Sequence, residues 1–207
     1  MNERDWNELT RRDALFVLGA AAVGAAIGVS PAVVEGAARA AQRAVREAGF
    51  EPTFFTPQEW RTVRILADLV IPPDERSGGA VDAGVPEFMD FILTERESLQ
   101  VRMRGGLRWL DSESVERSGN AFADLPLEGR TAILDDIAWP RNARPELSHG
   151  VAFFSFFRDL TASGFFSSRT GVEDLRYMGN RAVPRWDGCP PGVLRNLGVG
   201  YDVSGNR

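Results

Sequence analysis

Lysine is absent from this chain of 207 residues, and histidine and cysteine each occur only once, as His149 and Cys189. One cysteine cannot form an intramolecular disulfide, and it excludes a multi-cysteine zinc site or an iron–sulfur cluster held by this chain alone. The Cys-x-x-Cys-His pattern that attaches haem covalently is also missing. Metal sites built from several His and Cys ligands and a c-type haem are therefore excluded for this chain.

Excess positive charge is lacking as well. All 24 basic residues other than the histidine are arginines, and the net charge is -5 at pH 7. Domains that bind nucleic acid are usually basic, so this mild acidity argues against a nucleic-acid partner. Apolar residues make up 43% of the chain and charged residues 26%, as in ordinary globular proteins. The length is sufficient for one medium-sized domain with its own core.

What the chain does have is a distinctive amino-terminal motif. Residues 10–15 are Thr-Arg-Arg-Asp-Ala-Leu, and residues 14–34 form a run of 21 residues without a charge. A polar start with an arginine pair, followed by an apolar stretch, is typical of a twin-arginine export signal, a route that carries folded proteins. The residues of this predicted motif are Thr10, Arg11, Arg12 and Leu15.

Small residues mark the expected end of the signal. Ala38 and Ala40, separated by one residue, form a small-x-small cleavage pattern. We therefore expect a signal segment with a signal helix at 1–40, a linker or short helix at 41–54, and a helical domain at 55–207. The alternative is a membrane anchor, since about 18 uncharged residues or more can span a bilayer. The run is rich in Ala and Gly, which insert weakly, and cleavage or retention stays open.

The body of the chain predicts an all-α fold, a single domain of about five helices. Thr56 can cap the first helix, with Pro57 at the first helical position and Glu59 completing a capping box. Pro72 and the proline after it end this helix. Its apolar stripe consists of Trp60, Val63, Leu66, Ala67 and Val70.

The next two helices are predicted with two alternative limits. A second helix begins at Val85 and either continues through Leu99 and Met103 or breaks near Gly105. A third helical stretch surrounds Trp109. Both are predicted from apolar residues at helical spacing, because no segment of the chain alternates convincingly as a strand.

The last part of the predicted domain is aromatic. A fourth helix begins near Pro126, and a fifth covers 146–162 with a wide face of phenylalanines. Gly164 is expected to cap the fifth helix at its carboxyl end. From there to residue 207 the chain is rich in Gly, Pro and aromatics and predicts an irregular tail that wraps the domain or a partner.

Catalytic residues are not indicated by the sequence. His149 follows Ser148 near the start of the fifth helix, but sequence neighbours on a helix point in different directions and do not form a nucleophile–base pair. A polar residue at the helix start is the favoured interpretation of His149, and a general base is the alternative. The acid pairs at 74–75 and 135–136 lack the ligand spacing of a calcium loop. We assign no catalytic, cofactor-binding or metal-ligating residue.

Aromatic residues near the carboxyl end are candidates for a protein interface. They fall in an aperiodic region with arginines nearby, and aromatics and arginines often anchor interfaces. Core packing is the alternative explanation. The candidate contacts are Phe165, Phe166, Tyr177, Trp186 and Cys189.

Two sequence blocks together resemble a known family. The first runs from Phe-Thr-Pro-Gln-Glu-Trp at 55–60 through Leu-Ala-Asp-Leu-Val-Ile-Pro at 66–72 to Val-Pro-Glu-Phe at 85–88. The second includes Gly-Phe-Phe-Ser-Ser at 164–168 and Trp-Asp-Gly-Cys-Pro at 186–190. The chain resembles the small subunit, subunit 3 or gamma, of gluconate 2-dehydrogenase and related membrane-bound FAD-dependent sugar dehydrogenases.

The resemblance implies a non-catalytic subunit. In such complexes a large GMC-type flavoprotein oxidises the sugar or sugar acid with FAD, and a cytochrome c subunit, where present, carries haem c. The small subunit binds the flavoprotein and escorts it through the twin-arginine translocase, which implies a periplasmic location or one at the periplasmic face of the inner membrane. The alternatives are a stand-alone periplasmic helical binding module and an independent enzyme that uses His149.

Overall fold

The computed structural model describes residues 28–46, 49–176 and 188–200, which contain α-helices and no β-strand, confirming the all-α fold class. The predicted motif residues Thr10, Arg11, Arg12 and Leu15 lie outside the described residues. The α-helices in the described ranges are α1 (Pro31–Arg46), α2 (Pro57–Val70), α3 (Val85–Glu95), α4 (Glu97–Ser118), α5 (Leu127–Ala138), α6 (Ser148–Phe166), α7 (Arg169–Asp174) and α8 (Pro191–Leu197), with short 3₁₀ helices at Phe122–Asp124 and Pro145–Leu147.

The chain divides into two units. The first extends to residue 177 and contains α1 to α7, while the second covers 178–207 and contains α8. α8 buries none of its residues. α7 and α8 interrupt the segment that the sequence predicts to be irregular, so part of the predicted tail is helical.

The start of α2 follows its sequence closely. The Glu59 amide donates to the Thr56 hydroxyl oxygen at 3.3 Å, and the Thr56 amide donates to Glu59 Oε2 at 2.9 Å. Pro57 occupies the first turn, and the helix ends before Ile71 and the two prolines. These contacts confirm the predicted capping box, which satisfies amide groups that the helix itself leaves unpaired.

α3 lies at the centre of the first unit. It contacts α1, α2, α4 and α6. A helix that is apolar around most of its circumference needs neighbours on every side to shield it from water. Eight of its residues are buried: Val85, Pro86, Glu87, Phe88, Met89, Asp90, Ile92 and Leu93.

α1 packs against α3 and spans the predicted boundary between signal and linker. It begins at Pro31 and ends at Arg46, so Ala38 and Ala40 lie within one continuous helix. Val34 is fully buried, and Ala38 is 3% exposed. Small side chains on this face let the two helices approach closely, and the helical domain therefore includes residues before position 55.

The break between the second and third predicted helices lies at Arg96. Arg96, with φ -131° and ψ 84°, departs from helical geometry, and the Gln100 side-chain amide donates to the Leu93 carbonyl at 2.7 Å. α4 then continues through Gly105 and Gly106 without interruption. Two limits were predicted for the second helix, one beyond Met103 and one at the glycines. Both are wrong, because the helix ends before Arg96.

Gly164 does not end the aromatic helix. α6 continues to Phe166, and a Cβ on Gly164 would lie 2.8 Å from Cδ1 of Phe88 on α3. The missing side chain of Gly164 therefore allows close contact between α6 and the central helix α3. It does not serve to end the helix.

Two further glycines bring α4 and α6 together reciprocally. A Cβ on Gly106 of α4 would lie 1.8 Å from the ring of Phe153 of α6. A Cβ on Gly150 of α6 would lie 2.1 Å from the ring of Trp109 of α4. An aromatic ring of each helix therefore lies against a glycine of the other helix. Neither position has room for a methyl group.

This packing predicts opposite effects for two adjacent glycines. Gly106→Ala should lower the free energy of unfolding by roughly 2 kcal/mol or more, because Phe153 must move. Gly105→Ala, where nothing lies within 4 Å of the added Cβ, should raise it by about 0.5–1 kcal/mol through helix propensity. Urea unfolding of both variants measures the difference, and equal effects would contradict the reciprocal packing.

Candidate partner-binding surface

One acid of each pair singled out in the sequence has polar partners within the protein. Asp74 accepts the backbone amides of Ser77 and Arg76, which lowers the pKa of Asp74. Asp136 pairs with Arg117 at 2.8 Å and with Arg144 at 3.7 Å. In the described part of the chain, no group of three or more His, Cys, Asp or Glu side chains is arranged to hold a metal ion.

His149 lies exposed in the first turn of α6, beside a groove between α4 and α6. Arg102 contributes to the groove wall, and its guanidinium carbon lies 4.4 Å from the ring centre of Phe156. The residues that line the groove place apolar, aromatic and cationic groups near His149. None of them is a carboxylate that could orient the imidazole ring. The groove is lined by Val101, Arg102, Gly105, Gly106, Trp109, His149, Ala152 and Phe153.

A buried carboxylate on α3 fixes the segment that leads into α2. Asp90 is 1% exposed and accepts the backbone amides of Thr53, Phe54 and Phe55 at 2.8, 2.9 and 3.1 Å. These three hydrogen bonds offset the cost of removing the charge from water. This contact was not among the predictions from the sequence, although an acid within an otherwise apolar helix indicates a buried polar partner.

Arg104 of α4 holds the same segment from the other side. Its guanidinium donates to the Phe54 carbonyl at 2.8 Å and to the Glu59 carboxylate at 3.0 Å. The guanidinium carbon also lies 4.3 Å from the centre of the Phe54 ring, in cation–π contact. α2, α3 and α4 are therefore joined by polar contacts as well as by the core.

Glu87 is the second buried carboxylate of α3, one helical turn before Asp90. Its Oε2 atom is buried without a hydrogen-bond partner, and its Oε1 lies 3.7 Å from Nη1 of Arg64. Burial raises the pKa of Glu87 above its ordinary value, while its own backbone amide and Arg64 act in the opposite direction. Glu87 is thus a protonatable group inside the core.

The candidate interface residues fall in different places. Phe165 is 2% exposed and belongs to the core, which corrects its inclusion among surface contacts. Phe166 is 39% exposed, and its ring meets Phe165 edge-on with 5.3 Å between centres. Cys189 is half-buried in the second unit. Tyr177 and Trp186 lie outside the described residues.

The chain after Phe166 is firmly held although it exposes apolar side chains. The Ser168 hydroxyl donates to the Phe165 carbonyl at 2.6 Å and accepts the Gly171 amide at 3.1 Å. Arg76 forms an ion pair with Asp174. Leu175, which the sequence analysis did not single out, is 58% exposed immediately after α7. Phe166 and Leu175 thus lie at the two ends of a fixed segment, which we call the α7 surface.

No helix in the described ranges combines the length and apolarity that a membrane span requires. Comparison with family models gives one match, to gluconate 2-dehydrogenase subunit 3, over residues 57–185. This range includes α2 to α7 and thus both buried carboxylates and the α7 surface. Neither the curated proteins nor the solved structures contain a match.

The raised pKa of Glu87 predicts a specific pH dependence of stability. Between the ordinary pKa of about 4.3 and the raised pKa of Glu87, the folded state binds a proton that the unfolded chain releases. Stability contributed by this group is therefore present below that pH and is lost as pH rises through the raised pKa. Glu87→Gln, which cannot ionise, should unfold at higher temperature than the wild type at pH 7, and this advantage should shrink towards pH 4.

Thermal unfolding at pH 4 and pH 7 measures this difference, with Glu95→Gln, an exposed residue of the same helix, as the control. A difference between Glu87→Gln and the wild type that stays constant across this range would contradict a buried Glu87 with a raised pKa.

Proposed function

The chain belongs to the gluconate 2-dehydrogenase subunit 3 family, and from this we propose that it is the non-catalytic small subunit of a periplasmic FAD-dependent dehydrogenase complex. The complex oxidises a sugar or sugar acid on a large GMC-type flavoprotein subunit that carries FAD. A cytochrome subunit with haem c passes the electrons on where the complex includes one. The family match over residues 57–185 is the observation that carries this proposal.

The proposed role of this chain is to bind the flavoprotein and take it through the twin-arginine translocase. The flavoprotein folds and acquires FAD in the cytoplasm, so it must cross the membrane folded. One signal per complex is then enough, provided that the two subunits bind before export. The arginine pair Arg11 and Arg12 followed by the uncharged run supports this part of the proposal.

The α7 surface is the proposed contact with the flavoprotein. Exposed apolar side chains at the centre of an interface contribute most when they are already held in place, because little entropy is lost on binding. Phe166 and Leu175 meet this condition through the contacts of Ser168 and the Arg76–Asp174 ion pair. Leu175 also lies just before residues 177–187 in sequence, where Tyr177 and Trp186 occur.

The export role predicts a shared fate for the two subunits. Replacing both Arg11 and Arg12 by Lys should leave this chain and the flavoprotein in the cytoplasmic fraction, because the translocase no longer recognises the signal. Arg43→Lys, on the exposed side of α1, serves as the control and should not affect export. Immunoblots of periplasmic and cytoplasmic fractions measure both subunits, and a flavoprotein that is exported normally with the double variant would refute the escort role.

The contact role predicts a local loss of affinity. Truncating Phe166 and Leu175 together to Ala should weaken binding of the co-expressed flavoprotein at least tenfold, as expected for central interface residues. The matched control truncates two exposed apolar residues elsewhere, Val101 and Leu127, to Ala. Titration by light scattering or calorimetry gives the two affinities, and equal affinities would place the contact on another surface.

A further inference from the structure

The small-x-small pattern at the expected end of the signal lies inside a packed helix. Ala38 and Ala40 occupy the middle of α1, with more than one helical turn on either side. The face of α1 that includes Ala38 is covered by the rest of the first unit. Its buried residues are Val34, Ala37, Ala38 and Ala41.

The carboxyl half of α1 is fitted to the start of α3. Gly84, which precedes α3, has a positive φ of 77°. A Cβ at this position would lie 2.7 Å from Cγ2 of Val45 and 3.5 Å from the carbonyl oxygen of Ala41. The backbone before α3 thus lies directly against α1, and removal of the first half of α1 would leave its second half and the surface of α3 incompletely covered.

We propose that α1 belongs to the mature exported protein, and that any removal of the leader takes place on the amino-terminal side of Val29. The inference rests on the proposed twin-arginine export, because that route presents the domain to the peptidase already folded. Proteases cut segments that are exposed and can extend. The bond after Ala40 is part of a helix whose loss of structure would expose Val34 and Ala38 to water.

A suitable pattern lies just before the fold. Ala26-Ile27-Gly28 is also small-x-small, and Gly28 is exposed where the described structure begins. Hydrolysis of the Gly28–Val29 peptide bond, with addition of one water, would release residues 1–28 and leave α1 whole. The Ser30 carbonyl, which accepts the amides of Val33 and Val34 at 3.0 and 3.2 Å, would remain to start the helix.

The same burial bears on the membrane-anchor alternative. The uncharged run covers residues 14–34, but Val29 and Val34 are buried in the folded unit at 4% and 0% exposure. At most residues 14–28, which are 15 residues, are then left for insertion into a bilayer while the domain is folded. The uncharged run that remains is therefore shorter than the about 17–25 residues that a spanning helix needs.

The intact mass of the full chain, isolated from the periplasmic fraction after expression with the flavoprotein, tests the inference. We expect a first residue at or before Val29, including the uncleaved chain. A mature protein that starts at Ala41, or anywhere else beyond Val29, would overturn the inference while leaving the export role intact. A chain confined to the cytoplasmic fraction would overturn the export role and, with it, this inference.

Two alanine variants of the exported full chain give an independent measurement. Ala37→Leu places a larger side chain on the buried face of α1, and Ala32→Leu places the same side chain on its exposed face. With α1 retained, Ala37→Leu should lower Tm by roughly 3–10 °C and Ala32→Leu should change it little. If α1 were cut after Ala40, both variants would yield the same mature protein, and identical Tm values would overturn the inference.

Discussion

Enclosure of α3 is the constraint on which the rest of the first unit depends. The helix buries four consecutive residues, Glu87 to Asp90, which cover every side of one turn, so α1, α2, α4 and α6 must all pack around it. Two of these neighbours come close through small residues: the alanines of α1, and Gly164 of α6 against the Phe88 ring. Asp90 adds a polar link, since its carboxylate holds three backbone amides of the segment before α2.

Features of the fold that depend on local chemistry could be predicted from the sequence. Thr56 and Glu59 form a capping box through neighbouring atoms, and Pro72 ends α2 whatever surrounds it. Gly106 and Gly164 could not be interpreted in this way, because a glycine in a helix is used for a contact with a ring that lies far away in sequence. The difference in burial between Phe165 and Phe166 is equally non-local, because packing decides which of two adjacent rings is buried.

α1 shows why the limit between the predicted signal and the folded domain could not be read from the sequence. An uncharged, Ala-rich run after an arginine pair indicates an export signal, but alanine also suits the close approach of two helices. Composition cannot distinguish an export signal from a closely packed helix. Only the burial of Val34 and Ala38 shows where the uncharged run becomes part of the folded unit. In the proposed complex, the signal is thus joined directly to a helix of the core, while the α7 surface lies at the other end of the unit's sequence. In this proposal, both export and partner binding depend on one folded unit.

We propose that this chain acts by binding a redox protein and performs no oxidation itself. The test is to isolate the chain from its native host, to record the flavin absorbance and sugar dehydrogenase activity of the isolate, and to repeat both measurements after the subunits are separated. We expect a flavin-bearing second polypeptide in the isolate, and neither flavin nor activity in the separated chain. A separated chain that oxidises a sugar would contradict this proposal.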